Sequence, residues 1–433
     1  MFQAVNPAMT VALPASLDIA VIGAGAAGLA AARTLRGTGL TAAVLEARER
    51  IGGRAHTLDR CGFALDMGCG WLHSADENPL AAMVEPQGLT LDRTPPPWER
   101  QAFDHEMTPA EQAEFREAFA AFEARVEQAA ARGEEGPASA LFEPGGRWNA
   151  RMDAVSGALN GARFAEVSIR DYAAYRDTGV NWRVAEGYGR LIERLGAGLP
   201  VVAGCPVHRI DRSGPALRLE TARGAVEARA VIVTAPTDLL AGEAIRFDPP
   251  LPDLVEAAAD LPLGLASKLH LAVTGPEDFP ADSQLWGRTD TAETAGYHLR
   301  PFGRPLIEAW FSADLARALE AEGEAAFSAF AADELADLLG SSMRRRIEPL
   351  AVSMWGADPW SRGAYSHARP GAADARARLA RPVENRIFLA GEATSAAFYG
   401  TAHGAWLEGE RAARQALRAL GLDPGPAPGD EGA

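Results

Sequence analysis

A chain of 433 residues exceeds one simple core, so two or three domains are expected. Its 47% hydrophobic and 23% charged residues match a globular protein that folds in water, and no run approaches the ~20 apolar residues of a membrane span. The net charge of −16 argues against nucleic acid and anionic membranes as partners, and suits a cationic substrate. The three cysteines, Cys61, Cys69 and Cys205, have neither zinc spacing nor the even count of a disulfide framework, so no metal and a reducing, cytoplasmic setting are expected. Met1 to Leu17 carries no Lys or Arg and no long apolar core, unlike a secretory signal.

The first element is Ile19-Ala-Val-Ile22, an apolar run suited to a buried parallel strand. Gly23, Gly25 and Gly28 follow in G-x-G-x-x-G spacing around Ala26 and Ala27, and Leu29 to Leu35 continue as a helix. Gly23 suits a tight turn, Gly25 lets a pyrophosphate approach the backbone, and Gly28 lets helix and strand pack closely. The start of that helix offers unpaired N–H groups to the phosphates. A second apolar run, Thr41 to Leu45, ends at Glu46, where an acid bonds ribose hydroxyls. A Gly/Ala-rich helix start can match this spacing by chance, but strand, helix, strand and acid in order point to a dinucleotide. Ala47, Arg48, Arg50, Gly53 and Arg54 then form a basic turn, in which Arg54 follows two glycines that admit an anion.

Gly62 to His73 reads as a short strand and a Gly-rich turn, and Asn78-Pro79 opens a helix through Val84. After Pro95-Pro-Pro97, Thr108-Pro-Ala-Glu111 is a helix-start signal, and Phe115, Phe119, Phe122 and Val126 make one packing stripe. Gly187 and Gly189 turn into a short helix. Val201 to Ile210 and Ala216 to Glu227 alternate as hairpin-like strands, and Arg229 to Pro236 is a buried strand. Leu263 to Val273 is a strand with Lys268 inside it, where a charge is costly unless paired or wet; Ala266, Lys268 and His270 share one face. Leu306 to Ser312 is another strand, and Ala325 to Leu339 a helix capped by Gly340. The Pro/Gly-rich end, Gly421 to Ala433, is expected to be disordered, without a membrane anchor.

The segment from Glu46 to Arg54, the block Met354-Trp-Gly-Ala-Asp-Pro-Trp-Ser-Arg-Gly-Ala-Tyr-Ser366, the strand and loop Ile387 to Thr394, and Tyr399-Gly-Thr-Ala-His-Gly-Ala405 resemble, in order, the flavin amine oxidase family. The resemblance implies an α/β fold: a Rossmann-like, glutathione-reductase-like FAD domain interleaved with an α+β substrate domain. The FAD domain is expected over 1–80, 200–247 and 380–425. The substrate domain is expected over 81–199 and 248–379, with a helical insertion near 100–165 and a tail from 426 to 433. FAD would be held by Gly23, Gly25, Ala26, Ala27, Gly28, Glu46, Ala47, Arg48, Gly53, Arg54, Val207 (against the adenine), Trp355, Gly391, Glu392 and Thr401. Catalytic roles fall on Lys268, which in the family holds a water against flavin N5, and on His73, Tyr365 and Trp355. The pocket would use Trp71, His73, Tyr365, Phe398 and Tyr399.

Ala364 stands where some relatives carry a cysteine bonded to FAD, so non-covalent FAD is expected. Thr401 replaces the second tyrosine of the monoamine oxidases' aromatic sandwich, which favours polyamine-oxidase-like chemistry, with Phe398 or Tyr399 as the substitute wall. The expected reaction oxidises an amine C–N bond to an imine, with dioxygen as acceptor and peroxide as product. An L-amino-acid oxidase, which needs an arginine to clamp a carboxylate, and a flavin-holding module without turnover are the alternatives. A homodimer is compatible with the resemblance.

Overall fold

The computed structural model describes residues 12–98, 101–104, 107–276 and 278–425, so the tail from 426 to 433 and residues 1–11 lie outside the described residues. The strand Ser16–Ile22 pairs in parallel with Ala42–Leu45 on one side and with the end of Gly224–Val233 on the other. Its apolar residues are buried between two layers, as a parallel strand requires. Eight strands form this sheet, ordered Arg246–Asp248, Val207–Asp211, Leu217–Thr221, Gly224–Val233, Ser16–Ile22, Ala42–Leu45 and Val201–Val202, with Ile387–Leu389 joined to Val231–Val233.

Two details depart from the sequence reading. Val201–Val202 leaves the expected hairpin and pairs with Val44 and Leu45, and the hairpin itself starts at Val207. The stretches before and after Arg229 are one strand, Gly224–Val233. From Gly224 to Arg229, where it begins antiparallel to Leu217–Thr221 with one open face, exposed residues stand among buried ones; Ala230 to Val233 are buried throughout, between parallel neighbours.

Helices Ala26–Leu35, Tyr188–Leu195 and Ala402–Ala419 cover one face of this sheet. The last lies against the first so closely that a Cβ on Gly409 would come 2.0 Å from the Ala27 carbonyl oxygen. Pro252–Ala259 and Ala375–Leu379 cover the other face. Three segments expected in the substrate domain, near 184–199, 252–261 and 368–379, therefore pack into the cofactor-side core.

The second sheet is antiparallel and five-stranded: Ser283–Trp286, Gly296–Leu299, Leu306–Ser312, Ala266–Val273, Ile347–Val352. Period-two alternation divides its faces. Leu269, Leu271, Leu285, Tyr297, Ile307, Ala309 and Phe311 bury against Ala313–Glu322 and Glu324–Leu339. The opposite face carries Lys268, His270, Trp286, His298, Glu308 and Trp310, whose parity follows from the strand registers. The helical insertion has its own core, built on Phe122, Val126, Trp148 and Phe164. Its long helix, Pro109–Ala131, starts with the expected capping box between Thr108 and Glu111. No helix among the described residues is long and apolar enough to cross a membrane.

Candidate active site

A cavity of about 790 Å³ runs from the Gly23–Ala27 turn to the inner face of the second sheet. At its first end the backbone is bare. A Cβ on Gly28 would sit 1.8 Å from the Gly23 carbonyl oxygen, and one on Gly53 would sit 3.1 Å from Gly25 Cα, so these positions hold two turns together. The helix Ala26–Leu35 has no side-chain cap, leaving its first N–H groups for a ligand in the cavity. Glu46 is buried at the end of the second strand, and its carboxylate accepts from Ala24 N at 2.6 Å and Arg48 N at 2.8 Å. Burial pushes its carboxyl up against those two bonds.

Ala47, Val207, Trp355, Gly391 and Thr401 also line the cavity. Arg54 donates to Ala364 O and lies 3.3 Å from Glu392, which in turn accepts from Ser366 Oγ at 2.7 Å and Gly400 N at 2.9 Å. Burial favours a neutral Glu392, but Arg54 and Arg376 outweigh it and hold the carboxyl below its ordinary value. Arg48 is committed to Asp358 at 2.5 Å and Ser361 at 2.8 Å. Thr401 Oγ1 accepts from Gly404 N at 3.0 Å and caps the C-terminal helix. Bare backbone, an uncapped helix, a buried carboxylate at the end of the second strand and an arginine together fit FAD.

At the other end, Lys268 is buried and its ammonium lies 2.9 Å from Glu308 and 4.2 Å from the Trp310 ring centroid. Gly70 leaves it room: a Cβ there would stand 2.9 Å from Lys268 Nζ. Trp71 meets Trp98 edge-on at 4.7 Å. His73 Nδ1 lies 2.7 Å from Asn181 Oδ1, and burial lowers its imidazole pKa, favouring the neutral ring. Tyr365 donates to Ala158 O, and Tyr399 donates to Asp171 O at 2.9 Å, so both phenols are tied to the helical insertion. Burial keeps both well above the usual phenol range and therefore neutral. Trp355 is fixed by its bond to Met67 O at 3.0 Å.

The structure thus brings Lys268, Trp71, His73, Tyr365, Tyr399 and Trp355 to one cavity. Phe398 is a correction. It is not among the lining residues; its ring packs on His403 at 4.8 Å and beside Arg176 at 5.9 Å. The sequence reading did not single out Trp98, Trp286, Trp310, Glu123 or Glu127, all of which line the cavity. Alternation along Leu306–Ser312 already placed Trp310 on the face opposite the apolar residues. Glu123 and Glu127 lie one turn apart beside the phenylalanine stripe.

The family model of flavin-containing amine oxidoreductases matches residues 26–417. Polyamine oxidase 4 of Oryza sativa subsp. japonica is 29% identical, over 94% of this chain and 90% of that protein. Polyamine oxidase 2 of Arabidopsis thaliana is 29% identical, over 92% and 87%. Among solved structures, wild-type putrescine oxidase bound to putrescine superposes with a TM-score of 0.73 at 23% identity, covering 93% of this chain and 99% of that one; this likeness is one of fold.

Proposed function

The chain belongs to the flavin-containing amine oxidoreductase family, and on that premise we propose that it oxidises a polyamine or diamine, an amine with a second cationic centre. Bound FAD supplies an acceptor for the hydride equivalent of a C–H beside nitrogen and passes the two electrons on to dioxygen, giving peroxide. The chain supplies the rest. The glycine turns, the uncapped helix, Glu46 and Arg54 hold the dinucleotide. Lys268 and the tryptophans and tyrosines around it bound a largely apolar chamber. An ammonium has no lone pair to expel hydride, and such a chamber lowers an amine's pKa by desolvation. His73, neutral and bonded to Asn181, can accept a hydrogen bond from that amine through its remaining nitrogen.

The observation that carries the reading is the acid pair Glu123 and Glu127 on the same cavity. Glu123 is half-buried and accepts from Tyr172 OH at 3.4 Å, whereas Glu127 is exposed. Burial, with the charge of Glu127 adding, pushes the Glu123 carboxyl up, a strain that a second ammonium would relieve. Among the described lining residues the only arginines are Arg48 and Arg54, both already paired with acids, so no arginine is free to clamp a substrate carboxylate as an L-amino-acid oxidase requires. Non-covalent FAD, a cytoplasmic location and a homodimer belong to the same proposal. Anaerobic mixing with polyamines, diamines, monoamines and L-amino acids tests it. Bleaching of the flavin by the first two classes is expected; bleaching by amino acids alone, or by none, overturns it.

A further inference from the structure

The inner face of the second sheet carries two neighbouring cross-strand rows. Trp286, Gly296, Trp310 and Lys268 stand in register and line the main cavity. One step along, Gln284, His298, Glu308 and His270 stand in register, with Glu308 directly opposite both histidines. His298, Glu308 and His270 open on a second cavity of about 30 Å³ beneath the strand Phe63–Asp66. Its wall mixes apolar side chains with Asp66, Arg183, His270, His298, Arg304 and Glu308, and it has room for about one or two waters.

Glu308 joins the two rows through its 2.9 Å contact with Lys268. Across the small cavity, His298 Nε2 lies 3.1 Å from Asp282 Oδ1, and the Asp282 side chain is 20% exposed. Asp282 is also held by Arg183 at 2.7 Å. His270 is turned aside to Asp66 O at 3.2 Å. The charged groups facing Glu308 are therefore Lys268 and His270 from one strand, His298 from another, and Asp66, Arg183 and Arg304 around the cavity. Ion, acid, water-sized space, imidazole and surface acid stand in sequence from the reacting chamber outwards. Beyond Lys268 itself, nothing in the proposed substrate binding uses them.

We propose that Glu308 and His298, through water in the small cavity, form a proton relay between Lys268 and the surface at Asp282. The relay rests on the amine oxidase reading only for dioxygen as acceptor. Over a cycle, R–CH2–NH3+ and O2 become R–CH=NH2+ and H2O2, with no net proton. The halves are not balanced separately: the ammonium loses a proton before hydride leaves, and dioxygen, given two electrons and one hydrogen, still needs one. Lys268 supplies it, an N–H bond breaking as the peroxide O–H bond forms. The lysine is reprotonated through Glu308, the cavity water and His298, each bond broken on the relay being replaced by one formed at the next group.

The test uses the holoprotein, reduced with dithionite and mixed with oxygenated buffer, in wild type, Glu308→Gln and His298→Gln. No amine is present, so failure of the relay is distinguished from failure of the polyamine reading. Flavin content and absorbance are checked first; if Glu308→Gln does not fold, His298→Gln, at the far end, carries the test. Reoxidation is expected to slow about a hundredfold with a larger solvent deuterium effect. A pH-indicator dye in weak buffer is expected to show proton uptake coincident with reoxidation in wild type and lagging in the variants. Unchanged reoxidation and uptake, or slowing with no rise in the deuterium effect, overturns the relay.

Discussion

Lys268 and Glu308 stand diagonally across two antiparallel strands, and their charges meet at 2.9 Å inside the protein. Burial alone would raise the Glu308 carboxyl, but Lys268 and then His270 hold it down at about 2. A carboxyl held below its ordinary 4.5 contributes stability that is full above that pH and is lost as pH falls through its folded value. Lys268→Met removes the cation and leaves a buried acid whose pKa moves up, so the variant weakens as pH rises. The gap in unfolding free energy from wild type is expected to reach about 3–5 kcal/mol at pH ~8 and to narrow toward pH ~5. Urea denaturation at the two pH values measures it; a gap independent of pH would remove the pair as its cause.

Arg54→Ala separates cofactor holding from fold. Arg54 pairs with Glu392, while Glu392 keeps Ser366 and Gly400 as partners, so the loop retains two of its ties. Losing a charge-assisted bond to a phosphate costs about 1.5–3 kcal/mol, a rise of roughly tenfold to a hundredfold in the flavin dissociation constant. Titration of flavin-free protein with FAD gives that number. Affinity equal to wild type would show that Arg54 serves only the Glu392 loop.

The strand, glycine turn, helix and second strand at the first end of the cavity were legible in the sequence because their information is local. Gly23, Gly25 and Gly28 act within one turn, and Glu46 closes the next strand. Partners distant in the chain were not legible. Val201 and Val202 read as part of a hairpin because their true partners, Val44 and Leu45, are joined by parallel pairing, which leaves no turn signal. The Lys268 strand showed which residues share a face, but not that this face is the inner one, opposite Glu308 and Trp310. Phe398 was misplaced because an aromatic residue declares its type and not its direction; its ring packs on His403. Likewise Tyr188–Leu195 looked like the end of the substrate domain, yet Tyr188, Leu191, Ile192 and Leu195 bury against the cofactor-side sheet.

Flavin is expected to leave the chain on acid denaturation. Ala364, beside Tyr365 on the cavity, offers no thiol. The cavity's one cysteine among the described residues is Cys69, and burial pushes its thiol up to about 11, so almost none is thiolate near neutral pH. All yellow colour should appear in the supernatant after precipitation. Colour retained in the pellet and lost in Cys69→Ser would place a covalent bond at that thiol.

The acid pair predicts discrimination between amines. Glu123 and Glu127 lie one helical turn apart, on the insertion side of the cavity from Lys268. On the proposed reading, a substrate oxidised near Lys268 would meet them through a second cationic group. Glu123→Gln and Glu127→Gln keep size and hydrogen bonding while removing charge. Each is expected to raise KM for a diamine or polyamine by up to about fivefold, the worth of a partly exposed ion pair, and to leave an unbranched monoamine unchanged. Added salt should mimic the substitutions in wild type, more at exposed Glu127 than at half-buried Glu123, because screening acts first on charges open to water. Equal losses for monoamine and polyamine would mean that the two acids shape the helix rather than read the second cation.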